Sequence, residues 1–269
     1  MLKENTLFGE VDKVQEAIDL LRKHEPPEGY YMAFSGGKDS TVAYDLCKRA
    51  GVKFEAHYSL TTVDPPELVY YIKDNYPDVI KDRPKMSMWQ VIEKEGILPS
   101  RIMRYCCRIF KEGGGKGFDV VTGVRAEESA RRAKRKQYEQ KNHDKKHKFL
   151  HVIFNWTKED VWEYIHANNL PYCELYDEGF ERVGCVLCPM QSQANTLRDL
   201  ARFPKYVENY KKAADRAIIA REGKESWKNS TWKNGEEMFD WWIGERRKVR
   251  IAEDCNAIPL FSEDDGSIL

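Results

Sequence analysis

The run Ser35-Gly36-Gly37-Lys38-Asp39-Ser40 gathers residue types that suit a polyphosphate. A Gly-Gly pair leaves backbone N–H groups free to face an anion, and a helix starting just after it adds partial positive charge. Ser35 and Ser40 offer hydroxyl donors, Lys38 a mobile cation, and Asp39 a carboxylate able to hold Mg²⁺ between phosphate oxygens. The Walker spacing Gly-x-x-x-x-Gly-Lys-Ser/Thr is absent, so this is a different kind of phosphate loop. The bland alternative is a polar, glycine-rich turn between a strand and a helix.

A second chemistry resides in sulfur. Seven cysteines, at 47, 106, 107, 173, 185, 188 and 255, are an odd number in a chain of 269 residues that opens without a basic-then-apolar export pattern. That usage argues against a disulfide framework and for thiolate or metal chemistry. Cys106-Cys107 and Cys185-Val186-Leu187-Cys188 offer two donors each, enough for one metal centre. Adjacent cysteines are unusual for structural zinc, whose pairs are normally spaced. The occupants left open are an iron–sulfur cluster, zinc, or none, with the thiols buried or redox-active. Cys47 reads as a core residue, and Cys173 is unassigned.

These groups need elements to position them. Val11 to His24 carries apolar residues at helical spacing and stops before Pro26-Pro27. Tyr30 to Phe34 is a short apolar run before the glycine pair, Thr41 to Ala50 is helical until Gly51, and Val52 to Tyr58 reads as the next strand. That βαβ order predicts a parallel sheet with helices on its faces. Helices are expected over 67–75 and 86–94, strands over 119–124 and 149–154, and a helix after Trp156 capped by Thr157 with Asp160 three residues on. Beyond Pro189 the strand signals end, and 195–202, 206–219 and 236–250 are helical in pattern. The expected domains are therefore 1–189, an α/β nucleotide-binding domain with the cysteine cluster, and 190–269, a helical region. Hydrophobic residues are 41% of the chain and charged residues 33%, with 44 basic against 44 acidic side chains, so no global field draws it to nucleic acid or membrane. No apolar run approaches the roughly 20 residues of a spanning helix, and a cytoplasmic location is expected.

Ser35 to Ser40 after an apolar strand resembles the complete PP-loop signature of ATP pyrophosphatases, which cleave ATP between the α and β phosphates. Thr61-Thr62-Val63-Asp64-Pro65-Pro66-Glu67 resembles that group's Pro-Glu segment. Gly123-Val124-Arg125-Ala126-Glu127-Glu128-Ser129 resembles its Arg-containing substrate loop. The block from Asn155 to Phe180 is similar to the one that marks the phosphoadenosine-phosphosulfate reductase superfamily. The resemblance runs from about residue 30 to 190. It implies a Rossmann-like parallel sheet of the adenine nucleotide α-hydrolase type, with a helical C-terminal extension. ATP would lie on Ser35, Gly36, Gly37, Lys38, Asp39 and Ser40, with Lys38, Asp39 and Arg125 in catalysis and Mg²⁺ as cofactor. The Cys-Cys and Cys-x-x-Cys pair resembles the [4Fe–4S] ligands of adenylylsulfate reductases, which implies Cys106, Cys107, Cys185 and Cys188 as metal ligands.

One family feature is missing. Sulfonucleotide reductases attack with a cysteine in a C-terminal Glu-Cys-Gly-type motif, whereas Cys255 sits in Glu253-Asp254-Cys255-Asn256-Ala257, where two carboxylates would raise a thiol pKa. Reductases of the superfamily also tend to have an altered loop. The expected activity is therefore ATP cleavage with adenylation of an acceptor, in iron–sulfur-assisted sulfur transfer to a nucleic acid or nucleotide. The alternatives are a sulfonucleotide reductase, and a nucleotide-binding accessory subunit of a larger assembly. Arg131 to Lys148 holds nine basic residues against Glu139 and Asp144, a candidate contact for nucleic-acid phosphates or a solvated surface loop. Trp227, Trp232, Trp241 and Trp242 are expected to fill a core or meet a partner protein rather than stack on bases.

Overall fold

A computed structural model describes residues 2–6, 9–141, 144–222 and 232–254. It resolves into two compact units. The first comprises Met1–Leu60, Pro65–Arg83 and Gly113–Gly184, and the second Thr61–Asp64, Pro84–Glu112 and Cys185–Leu269. The units alternate along the chain, where the sequence led us to expect a single division after residue 189. The chain leaves the sheet after its second and third parallel strands, and both excursions group with the helical C-terminal residues.

In the first unit, β1 (Lys3–Thr6) and β2 (Gly9–Asp12) form a hairpin that leads into α1 (Lys13–Lys23). The carboxylate of Asp12 accepts from the backbone N–H of Val14 and Gln15, and so caps α1. Next come β3 (Tyr30–Phe34), α2 (Lys38–Ala50), β4 (Phe54–Ser59), α3 (Pro66–Asn75) and β5 (Ile80–Asp82). After the excursion through the second unit follow β6 (Val120–Thr122), the single turn α6 (Ala130–Ala133), the β7 (Tyr138–Lys141) and β8 (Asp144–His151) hairpin, and α7 (Lys158–Ala167). The sheet order is β5-β4-β3-β6-β8-β7, parallel throughout except for β7. Strand order reverses between β3 and β6, the switch point where such sheets open a crevice at their carboxyl ends. The α/β class and the parallel sheet are as expected.

Three details differ from the sequence reading. β5 is three residues long, too short for a periodicity signal. The strand expected over 149–154 lies earlier, at β8, and its hairpin with β7 carries the second part of the basic stretch, Lys141 to Lys148. A charged edge strand resists pairing with other chains, and its Lys and Arg content hides the strand pattern. Thr157 does cap α7, accepting from Asp160 N–H at 3.1 Å, and the Asp160 carboxylate returns the bond to Thr157 N–H at 2.9 Å.

In the second unit lie α4 (Met88–Glu95), α5 (Tyr105–Phe110), α8 (Gln193–Arg202), α9 (Pro204–Ala220) and α10 (Gly235–Asp254). Helix α9 packs against both α4 and α10. Its buried face of Tyr210, Ala213, Ala214 and Ala217 recurs at three- and four-residue spacing and meets Val91, Ile92, Met238 and Trp242 in one core. Trp242 Nε1 donates to the Pro99 carbonyl at 2.6 Å, which satisfies its polar handle inside that core. Trp232 and Trp241 meet at a tilt of 53° with ring centroids 4.7 Å apart. The tryptophan-rich region therefore packs as expected, with Trp227 and Cys255 lying outside the described residues. Among the described residues no helix is long and apolar enough to cross a membrane.

Candidate functional site

The first unit builds its site at the end of β3. Strand β3 is buried along nearly its whole length and delivers the chain into the Ser35-to-Ser40 turn. Gly36 takes φ of +71°, and a Cβ there would lie 2.6 Å from Ile72 Cδ1 and 2.7 Å from Leu68 Cδ1, so both conformation and space require glycine. Ser40 Oγ donates to the Gly37 carbonyl at 2.8 Å and accepts from Ser35 N–H at 3.2 Å, which ties the turn shut. The Ser35 and Ser40 hydroxyls lie 3.0 Å apart. Helix α2 then starts at Lys38 without a side-chain cap from Gly37. Its first N–H, that of Lys38, donates to the Tyr176 hydroxyl at 2.9 Å. The Tyr176 phenol is pushed above its ordinary pKa by burial and stays neutral.

Two cations converge on one carboxylate here. Asp39 accepts from Arg125 Nε through Oδ1 at 2.6 Å and from Lys38 Nζ through Oδ2 at 3.1 Å. Arg125 is 4% exposed. Its Nη1 also donates to Glu127 at 2.5 Å and to the Trp156 carbonyl at 3.4 Å, and the same Glu127 oxygen accepts from Lys158 N–H at the start of α7. The guanidinium is thus clamped from two sides, which fixes its fork for an anion. Gly123 makes the approach possible, since a Cβ there would fall 2.5 Å from the Asp39 carbonyl oxygen. Ser35, Gly36, Gly37, Lys38, Asp39, Ser40 and Arg125, singled out from the sequence, therefore lie in one cluster. Tyr176 and Glu127 were not singled out. Only the Leu-Tyr-Asp and Arg-Ala-Glu contexts hinted at them.

The second unit gathers the cysteines. Cys106 and Cys107 open α5, with Cys106 buried and Cys107 half-buried. Cys185 and Cys188 lie on a turn in which Leu187 takes φ of +55°. That turn is pinned by Leu187 N–H donating to Asp199 at 2.6 Å, Val186 N–H to the Val63 carbonyl at 2.8 Å, and Tyr210 to the Val186 carbonyl at 3.1 Å. Cys185 Sγ donates to Thr61 Oγ1 at 3.4 Å, and Thr61 N–H donates to Asp64 at 2.7 Å. Cys107 is held below the usual thiol range by the Cys106 hydrogen bond, then by the Arg104 and Lys111 cations. Lys111 is held charged above its ordinary value, chiefly by Cys185 and further by Asp64, Cys188 and Cys107. Burial pushes Cys185 up.

The four thiols are free and act on one another electrostatically, in the number and kind that a metal–sulfur site uses. Among the described residues no three His, Cys, Asp or Glu side chains close to the distances that hold one ion. The donor chemistry fits a cluster or zinc, and ligation requires the Cys106-Cys107 helix end and the Cys185–Cys188 turn to draw together. Cys47 is a fully buried core residue, as expected, and Cys173 is buried in the first unit.

The basic stretch divides by partner. Arg132 pairs with Glu128 and Arg135 with Glu139, while Lys148 lies 4.6 Å over the Tyr138 ring. Arg131, Lys134 and Lys136 are exposed. Three histidines, His143, His147 and His151, have no partner spacing for zinc in the sequence. His151 is fully buried, with Nδ1 2.6 Å from Thr122 Oγ1, and burial lowers its pKa to about 4. His143 lies outside the described residues.

Known proteins resemble this chain over part of its length. An uncharacterized protein of Methanocaldococcus jannaschii is 32% identical over 200 residues, 66% of this chain but 40% of that relative, so the chain spans well under half of its length. An adenosine 5'-phosphosulfate reductase of Oceanobacillus iheyensis is 33% identical over 176 residues, 59% of this chain and 70% of the reductase. Among solved structures, the phosphoadenylyl-sulfate reductase of Candida auris superposes with a TM-score of 0.52 at 19% identity. It covers 63% of this chain and 88% of its own, a likeness of fold. Residues 29–191, from the start of β3 past the second cysteine pair, match the phosphoadenosine phosphosulfate reductase domain, and the chain belongs to that family.

Proposed function

We propose that this chain is a Mg²⁺-dependent ATP pyrophosphatase that adenylates an acceptor, in iron–sulfur-assisted sulfur transfer to a nucleic acid or nucleotide. The observation that carries the reading is the pairing of Lys38 and Arg125 on the single carboxylate of Asp39, at the mouth of an intact Ser-Gly-Gly-Lys-Asp-Ser loop. Lys38 and Arg125 are balanced by Asp39 and Glu127 in the empty loop, and a polyphosphate would compete with Asp39 for both cations. An entering anion would take over Lys38 and Arg125 and free Asp39, the residue that would hold a magnesium ion, whose charge would help to neutralise the polyphosphate. An acceptor oxygen then attacks the α-phosphorus, the bond to the bridging oxygen breaks, and pyrophosphate leaves on the Gly37 and Lys38 amides and Lys38 Nζ. Arg125 neutralises charge that builds on the α-phosphoryl oxygens, and its clamp by Glu127 keeps that donor preorganised.

Cys106, Cys107, Cys185 and Cys188 would hold a [4Fe–4S] cluster, with zinc as the alternative occupant. Such a cluster supplies a site where sulfur can be bound or electrons delivered. The exposed Arg131, Lys134 and Lys136 would bind phosphates if the acceptor is a nucleic acid.

The names of the Oceanobacillus relative and others favour a second reading, thiol-dependent reduction of adenylylsulfate or its 3′-phosphorylated form. One experiment separates the two. Purified protein with ATP, Mg²⁺ and candidate acceptors should release AMP and pyrophosphate, with Arg125→Lys slowed at least tenfold. Sulfite release from adenylylsulfate with a thiol, and no pyrophosphate from ATP, overturns the first reading. Iron, sulfide and zinc measured after anaerobic purification of the wild type and Cys185→Ala test the ligand set, and full iron in the variant refutes it.

A further inference from the structure

A cavity of about 420 Å³ opens in the first unit beside Tyr176, within the size range of small-ligand sites. Helix α7 contributes Trp162 and His166, four residues apart and so on one face, with rings 5.6 Å apart and 18° from parallel. Tyr172 and Tyr176 bring their rings to Trp162 edge-on, each at 5.2 Å. Trp162, Tyr172 and Tyr176 are only half-buried and His166 is exposed, so this aromatic cluster is open rather than closed into a core. The lining is also polar. Lys158 pairs with Glu181 at 3.7 Å, and the Tyr172 hydroxyl donates to Asp177 at 3.1 Å. Flat π-faces with one cationic donor and two carboxylate acceptors at hand match a planar heterocycle that carries both donors and acceptors on its edge.

Tyr176 belongs to two sites at once. Its ring lines the cavity, while its hydroxyl accepts from Lys38 N–H at the start of α2. Glu181 does the same, lending a carboxylate to the cavity and its backbone carbonyl to Lys38 Nζ at 3.4 Å. A phosphate group at the Lys38 amide competes for the bond that holds Tyr176, so what happens on one side of this ring is felt on the other.

We propose that this cavity binds a nucleobase, and that Tyr176 couples its occupancy to that of the phosphate loop. Within the adenylation reading, on which this part rests, the base is that of the acceptor, held one aromatic ring away from the loop that activates it. Base–aromatic stacking supplies affinity whatever the base, and Lys158, Asp177 and Glu181 supply the discrimination.

The test is calorimetric titration of the whole chain with uridine, cytidine, adenosine and guanosine in turn, none of which carries a phosphate. At least one is expected to bind, to remain bound when the loop is saturated with a non-hydrolysable ATP analogue, and to weaken about tenfold in Trp162→Ala, the order of one lost stack. Trp162→Phe should recover most of the affinity. If Trp162→Ala fails to fold, the exposed His166→Ala gives the same reading. Binding of none, displacement by the ATP analogue, or unchanged affinity in both variants overturns the proposal. The analogue should also shift nucleoside affinity in the wild type and cease to do so in Tyr176→Phe, which keeps the ring, and a wild type without any shift overturns the coupling. A nucleoside that binds to a protein with no affinity for ATP would sink the adenylation reading and leave the base site standing. The same base offered as a short single-stranded oligonucleotide separates its sources. Tighter, salt-dependent binding points to a nucleic acid, and equal affinity to a free nucleotide.

Discussion

Alanine at Gly36 and at Gly51 separates two demands that the fold makes on glycine. Both residues sit in the left-handed region, at φ of +71° and +69°, and both belong to the first unit. They differ in surroundings. A Cβ at Gly51 meets nothing within 4 Å, whereas one at Gly36 drives into Ile72 and Leu68, which are 0% and 1% exposed and have no solvent to retreat into. Gly51→Ala should therefore cost only the left-handed strain, roughly 1–2 kcal/mol. Gly36→Ala carries the same strain plus overpacking of about 1–3 kcal/mol, for a total of about 2–5 kcal/mol. Urea unfolding followed by circular dichroism measures both. Losses that agree to within about 0.5 kcal/mol, the scatter of neutral substitutions, would refute the claim that close approach of α3 shapes the phosphate loop. Gly36→Ala should also lose nucleotide affinity, because relief of the overlap shifts the Gly37 and Lys38 amides from their places.

Two further predictions concern ionisable groups. His151 is held neutral by burial, with its pKa lowered from 6.5 to about 4. Its contribution is complete above pH 6.5 and is lost as pH falls through that window to about 4, amounting to on the order of 3 kcal/mol. The slope of unfolding free energy between pH 6.5 and 4 should flatten in His151→Gln, and an unchanged slope would count against the assignment. Asp160, fully buried, caps α7 and pairs with Lys13 at 2.8 Å, and the Lys13 and Thr157 bonds outweigh burial to hold its pKa at about 2. Asp160→Ala should cost about 3–5 kcal/mol by thermal or chemical unfolding, since it breaks a buried ion pair as well as removing a cap. A loss below about 1 kcal/mol would show the pair to be dispensable.

The sheet and the phosphate loop were legible because they rest on local signals. An apolar run, a glycine pair and a capped helix each announce themselves within ten residues. Thr157 with Asp160 is such a signal, and it behaves as its spacing predicts. What escaped the sequence are contacts whose partners lie far apart. Nothing near Lys38 marks Tyr176 as its partner 138 residues away, and nothing near Arg125 tells that Glu127 also reaches Lys158. The charged hairpin of β7 and β8 escaped for another reason, because residues that protect an edge strand are those that read as loop. The cysteine pairs were visible as donors. The support of their second turn by Asp199, Tyr210 and Val63 was not.

The alternation of the two units has a consequence for how the chain is made. Residues 84–112 leave the ribosome early, yet the helices they pack on come last, as in the bond from Trp242 to Pro99 across 143 residues. Contacts at such separation form late and slowly. During synthesis α4 must therefore wait for its packing partner until α9 has emerged. The Cys185–Cys188 turn, which leans on Asp199 and Tyr210, likewise gains its support only late, so a metal held there as proposed would be loaded at the close of biogenesis. A shortened gene product ending near residue 189 would keep all four candidate ligands while lacking the helices that seat them.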